Sequence, residues 1–260
     1  MNKKKQPLLY KGWVGSTKKC GRIIVIDDPY EGGEGGDRRW RYYIKFEHTG
    51  FIKSASERSI LSGAVGDPYH PKIAGVGFMG VGEYKTHNNG HKSQAFKCWE
   101  NMLYRVYGEH RLSNRYSERG VSVCERWQNF QNFGPWFDDN YSDGFVLDKD
   151  ILLFGNKEYS PETCVFIPQE LNKFFAAMNA RRNNLPVGVS KSRNKFSARI
   201  HFNGKLTLKV YDSPEEAFEF YKEAKERACK QLADRLYAEN KISEEVHHQL
   251  YKWICVPYPE

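Results

Sequence analysis

Along the chain the spacing of apolar positions changes character several times, and each change marks an element. Arg22-Ile23-Ile24-Val25-Ile26 predicts a strand, and the stretch from Pro29 to Asp37, with four glycines, predicts a loop. Beyond it Trp40, Tyr42, Ile44 and Phe46 alternate with Arg39, Arg41, Tyr43 and Lys45. A period of two sets the first group against a core and the second toward solvent, as in a small β-barrel or curled sheet. From Ala95 to Tyr107 the period becomes helical, with Phe96, Trp99, Met102, Leu103 and Val106 on one face. Trp127, Phe130, Phe133, Trp136 and Phe137 form a second aromatic-rich stretch, read as core. Phe145-Val146-Leu147-Asp148 predicts a strand, followed by a turn-rich loop through Gly155-Asn156 and Tyr159-Ser160-Pro161. Cys164-Val165-Phe166-Ile167 predicts its partner strand, and a helix begins near Pro168, which makes a ββα unit.

The C-terminal third has the sharpest signals. Phe196, Ala198, Ile200 and Phe202 alternate with Lys195, Ser197, Arg199 and His201, and Asn203-Gly204 follows. That dipeptide favours a two-residue type I′ hairpin because both central residues need positive φ. On the return strand Leu206, Leu208 and Val210 fall on one side and Lys205, Thr207 and Lys209 on the other. Ser213-Pro214-Glu215-Glu216 then opens a helix with a serine cap, proline at the first position and glutamate at the third. Its apolar face, Ala217, Phe220, Tyr221, Ala224, Ala228 and Leu232, can cover the inner side of the sheet and leave a basic outer side bare. Val246, Leu250, Trp253 and Ile254 give the tail a helical period, packed back on the body.

These patterns predict an α+β chain. Its parts are a β-barrel-like N-terminal module over residues 1–66, a Gly/Pro linker over 67–82, a ββα domain over 83–180, a sheet-and-helix domain over 185–238 and a helical tail over 239–260. The length of 260 residues accommodates two or three such domains, or one large one.

Charge sharpens the picture. Lys and Arg number 40 against 32 Asp and Glu, a net charge of +8. Between Arg181 and Val210 stand Arg181, Arg182, Lys191, Arg193, Lys195, Arg199, Lys205 and Lys209, with no acidic residue among them. A concentrated block of this kind is what a phosphate backbone selects. No apolar run reaches the roughly 20 residues that a bilayer requires, and Met1-Asn2-Lys3-Lys4-Lys5-Gln6-Pro7 is not a secretory signal. The six cysteines, Cys20, Cys98, Cys124, Cys164, Cys229 and Cys255, are scattered and read as reduced thiols of an intracellular, cytoplasmic protein.

Other chemistry is weighed and set aside. Gly75-Val76-Gly77-Phe78-Met79-Gly80 is formally G-x-G-x-x-G, but Val81-Gly82 extends the run and no capped helix follows to receive a pyrophosphate. His87 and His91, with Cys98 and Cys124 downstream, lack a cysteine pair and the usual ligand spacing, so a structural zinc is not expected. There is no G-x-S-x-G motif and no P-loop.

Two stretches resemble known families. Val187-Gly188-Val189-Ser190, Lys195 to Ile200, Asn203-Gly204-Lys205 and Ser213 to Tyr221 resemble the AP-two/ERF-type DNA-binding domain. That resemblance implies a three-stranded antiparallel sheet in the major groove, backed by a helix. It implies DNA contacts from Lys191, Arg193, Lys195, Arg199, Lys205 and Lys209, and His201 on the same strand joins them. The family's Gly-Phe near the end of the third strand is replaced by Val210-Tyr211.

The second resemblance covers roughly Phe96 to Asn172. Cys98-Trp99-Glu100-Asn101-Met102-Leu103, Arg119 to Cys124 with Trp127, Leu147-Asp148-Lys149-Asp150, Gly155-Asn156, Tyr159 to Cys164 and Asn172 resemble a phage HNH endonuclease-like family. The first segment and its glycine run also look like an N-terminal module seen in front of such proteins. The combination is known from homing-type endonucleases. It implies metal-dependent phosphodiester hydrolysis of double-stranded DNA with Mg²⁺ or Mn²⁺, in a phage-infected bacterial cell. Asp148, Lys149, Asp150 and Asn172 would be the catalytic group, with Asp148 and Asn172 holding the metal and Asp150 a further oxygen donor. The family's general base is a histidine where this chain has Lys149. A lysine is protonated at neutral pH unless strongly desolvated, and is then a poor base. Two readings therefore stand: an HNH-type endonuclease, or a catalytically silent DNA-binding protein, regulatory or directed against host defences, in which Lys149 is a phosphate clamp.

Overall fold

The alternation at Trp40–Phe46 lies within an eight-residue strand, Arg39–Phe46, at the centre of a five-stranded antiparallel sheet. Arg22–Val25, Tyr30–Gly32 and Ile52–Ser56 pair with it, and Val14–Ser16 pairs with Arg22–Val25. Tyr42, Ile44 and Phe46 are fully buried among Ile23, Val25, Leu9 and Ile60, as the period requires; Trp40 is half-buried. The sheet is open, not a closed barrel: among the described residues its edge strands Val14–Ser16 and Ile52–Ser56 each pair with one neighbour and not with each other. Part of the glycine loop is itself a strand, Tyr30–Gly32.

The computed structural model describes residues 6–32, 39–109, 116, 118–176 and 184–258. The chain is mixed α+β with several small sheets. It divides into two units, Met1–Ser113 with Glu125–Gly134, and Asn114–Cys124 with Pro135–Glu260.

In the first unit, residues 67–82 are packed rather than loose. Asp67 is buried and accepts hydrogen bonds from the Thr49 hydroxyl and the Tyr69 amide. Gly77 lies so close to Leu103 and Trp99 that a Cβ would collide with both. Phe78 exchanges backbone hydrogen bonds with Gln128 and Phe130. Gly77, Gly80 and Gly82 give close approach to Leu103, Asn129 and Gln131. Helix Gln94–Tyr107, capped by Ser93, buries the predicted face, and the Trp99 indole donates to the Trp127 carbonyl at 2.5 Å.

In the second unit, strands Phe145–Asp148 and Val165–Pro168 pair antiparallel, with Asp148 opposite Val165, and helix Gln169–Ala176 follows directly. A ββα unit is therefore present. Trp136, Phe137 and Tyr141 pack around the Phe166 ring. The short strand Glu158–Tyr159 adds a parallel pairing with Ser122–Val123 that the sequence pattern does not announce.

Strands Val189–Ser192, Lys195–Phe202 and Lys205–Tyr211 form a three-stranded antiparallel sheet, and the 25-residue helix Pro214–Ala238 packs on it. Ser213 caps that helix by accepting from the Glu216 amide at 3.2 Å. Gly188, at φ +75°, leaves no room for a side chain beneath the Tyr221 ring. One apolar core joins Ile167 and Leu171 of the ββα unit, Ala198 and Ile200 of the sheet, Leu232 and Leu236 of the long helix, and Val246, Leu250 and Trp253 of the tail. Arg235 clasps Glu170 at 2.6 Å across the same boundary.

Candidate nucleic-acid interface

Asn203 and Gly204 have φ of 49° and 72°, as a type I′ turn demands. Phe202 therefore pairs directly with Lys205, and the register continues through Ile200 with Thr207, Ala198 with Lys209 and Phe196 with Tyr211. Paired residues share a face. Since Ala198 and Ile200 are buried, Lys205, Thr207 and Lys209 lie on the helix side. The Lys209 ammonium confirms it, sitting 4.6 Å from the centroid of the Phe220 ring on the long helix. Lys191 pairs with Phe196 and belongs to the same side.

The outer face consequently differs from a purely basic one. It carries Ser197 paired with Val210, Arg199 with Leu208 and His201 with Leu206. Leu206, Leu208 and Val210 are 49%, 45% and 49% exposed. Arg199 and His201 are exposed, and no carboxylate pairs with either among the described residues. Lys195 is also outward but is bound to Asp212 at 2.9 Å, and that hydrogen bond raises its pKa. Arg193 sits in the turn between the first two strands at φ 55°. Arg181 and Arg182 lie outside the described residues. Of the predicted DNA contacts, then, Arg199, His201 and Lys195 belong to the open face, while Lys191, Lys205 and Lys209 belong to the other.

The ββα residues are engaged internally. Oδ1 of Asp148 accepts from the Asp150 and Ile151 amides, both at 2.8 Å, which closes the turn after its strand. Burial raises the Asp148 pKa against the pull of these two amides. Lys149 is only 7% exposed. Its ammonium donates to Oδ1 of Asp150 and to the Asn156 carbonyl, each at 2.6 Å, and lies 5.9 Å from the Tyr159 ring centroid. Asn156 in turn donates to the carbonyls of Lys149 and Glu158. Asn172, half-buried on the following helix, shares no hydrogen bond with this group. Burial also pushes the neighbouring Cys164 thiol up to about 12.

This donor set does not fit Mg²⁺ or Mn²⁺. One Asp148 oxygen is spent on two amides, Asp150 is paired with an ammonium, and that ammonium adds positive charge where a cation would have to sit. Among the described residues, no three His, Cys, Asp or Glu side chains are grouped to hold a metal ion. His87 and His91 point to opposite sides of a two-stranded hairpin, since His87 pairs with Lys92 and Asn88 with His91.

No protein-family model, curated protein or solved structure matches the chain. The site is thus defined by its own geometry. Reading the sequence alone missed two features of it, the apolar ridge Leu206–Leu208–Val210 and the tether from Asp212. The signal for the first was in the turn: a two-residue hairpin pairs its flanking residues, which puts Leu206 opposite His201. Asp212 stands just beyond the acid-free window.

Proposed function

We propose that this chain binds double-stranded DNA through the open face of its C-terminal sheet, with the ββα unit serving as a structural partner and not as a hydrolytic centre. The observation that carries the reading is the exposed, carboxylate-free pair Arg199 and His201 on a helix-backed antiparallel sheet. The major groove, about 12 Å wide, admits such a ribbon, and arginine can bind guanine O6 and N7 together. Lys195 stands on the same face, where a lysine serves phosphates. Such a protein fits the silent reading, a regulatory or counter-defence factor in the cytoplasm of an infected bacterium. Among the described residues, no helix is long and apolar enough to cross a membrane.

A salt titration of duplex binding tests the proposal: log affinity should fall with log salt, and Arg199→Ala should weaken a selected site by at least tenfold. Equal binding by wild type and the Arg199→Ala, Lys195→Ala double variant would overturn it.

The strand–strand–helix order of 145–176 favours a second reading, HNH-type hydrolysis. Incubating supercoiled plasmid with Mg²⁺ or Mn²⁺ separates the two. Chelator-sensitive nicking that is lost in Asp148→Ala supports the enzyme, and its absence from both wild type and Lys149→His supports the binder.

A further inference from the structure

We infer that Leu206, Leu208 and Val210 read the 5-methyl group of pyrimidines, so that the sheet selects thymine, or 5-methylcytosine, next to guanine; the inference rests on the DNA-binding reading above. Three aliphatic side chains, each about half exposed, stand in one row on a face that also carries Lys195, Arg199, His201 and small hydroxyl residues. A face that met only phosphates would gain nothing from such a row. In the major groove the one apolar group offered by the bases is the thymine methyl.

The pairing makes the match specific. Arg199 and Leu208 are directly opposed across the strands, so a guanidinium and an isobutyl group reach the groove side by side. One suits the acceptors of guanine and the other a methyl on the neighbouring pyrimidine. Alternate strand residues lie about 6.7 Å apart, close to two base-pair steps of about 3.4 Å. A strand in the groove therefore sets its successive apolar contacts on different base pairs.

Charge selects DNA over a second copy of the chain as the occupant of this row. The charged groups on the face are Arg199 and Lys195, and among the described residues only Lys195 has its counter-charge, Asp212. Two such faces docked by a two-fold axis would bring arginine toward arginine, whereas a duplex supplies phosphates.

The test uses the full chain and a duplex selected from a random pool, titrated by fluorescence anisotropy, then the same duplex with uracil at each thymine in turn. Uracil should weaken binding roughly three- to fivefold at each contacted position, the effect of losing one buried methyl. 5-Methylcytosine in place of cytosine at a contacted step should strengthen binding by a similar factor. Leu208→Ser should lose the thymine–uracil difference at one position and keep it at the others, with wild-type thermal unfolding showing the fold intact. Equal affinity of the wild type for both duplexes, with Arg199→Ala still impaired, would overturn the inference and leave the DNA-binding reading standing. Duplex binding that is absent or indifferent to Arg199 would remove both. A dimer that Leu208→Ser converts to monomer, without thymine–uracil discrimination, would show instead that the row is a contact between copies.

Discussion

Lys149 follows strand Phe145–Asp148, and Arg199 lies in the middle of strand Lys195–Phe202; both are cations on small antiparallel sheets of the second unit. Their surroundings differ completely. Lys149 is buried and donates to a carbonyl and a carboxylate within its own loop, while Arg199 is exposed with no acidic partner among the described residues. A cation whose ammonium is buried and bonded twice within its own loop holds that loop in place. One left in solvent on a flat face is available to a partner. The comparison shifts the functional weight from the residues that resemble a hydrolytic motif to those that resemble a groove reader.

Lys225 sharpens it most. It is a second buried lysine, 5% exposed, donating to the Phe174 carbonyl at 2.8 Å over that residue's ring. Burial lowers its pKa from 10.5 to about 8, against a weaker opposing effect of Cys255 and Cys229. The folded state thus holds fewer protons than the unfolded state between about pH 8 and 10.5, and stability rises with pH across that window. Relative to Lys225→Met, wild type should gain on the order of 3 kcal/mol over those units, read from denaturant unfolding at each pH. A flat difference would mean that burial does not govern this lysine.

Lys149→Ala leaves the Asn156 carbonyl without its donor and should cost about 2 kcal/mol in the same measurement. Duplex affinity of the folded fraction should stay within twofold. A large loss of affinity without loss of stability would break the comparison and return Lys149 to the interface.

Arg199→Ala should show the inverse: stability within about 0.5 kcal/mol of wild type, as for exposed sites, and at least tenfold weaker binding. The smallest effect belongs to the tether. Asp212→Asn frees Lys195, and binding at low salt should tighten about two- to threefold, the gain vanishing as salt screens the added charge.

Much of this fold is legible in the sequence, because long periods survive tertiary context. The helix faces at Phe96–Val106 and Ala217–Leu232, the alternation of Tyr42, Ile44 and Phe46, and the capping box at Ser213 all appear where the pattern puts them. The face of the return strand did not, because alternation gives two sets of side chains without saying which is inward; register decides, and it depends on one turn. Asp148-Lys149-Asp150 reads as a catalytic group or a phosphate clamp because nothing local shows that Asn156, seven residues on, supplies a carbonyl to the ammonium. Glycine is ambiguous in the same way. At Gly77 it signals contact with Trp99 and Leu103, not slack chain.

The apolar core that runs from Ile167 and Leu171 through the sheet to Trp253 has a practical consequence for anyone dissecting the chain. Excising residues 185–238 would strip the shared cluster of Ile167 and Leu171 before the sheet and of Val246, Leu250 and Trp253 after the long helix, and should lower stability. A load applied to the exposed ridge would be shared by the ββα helix and the C-terminal segment, because their buried side chains belong to the same apolar cluster.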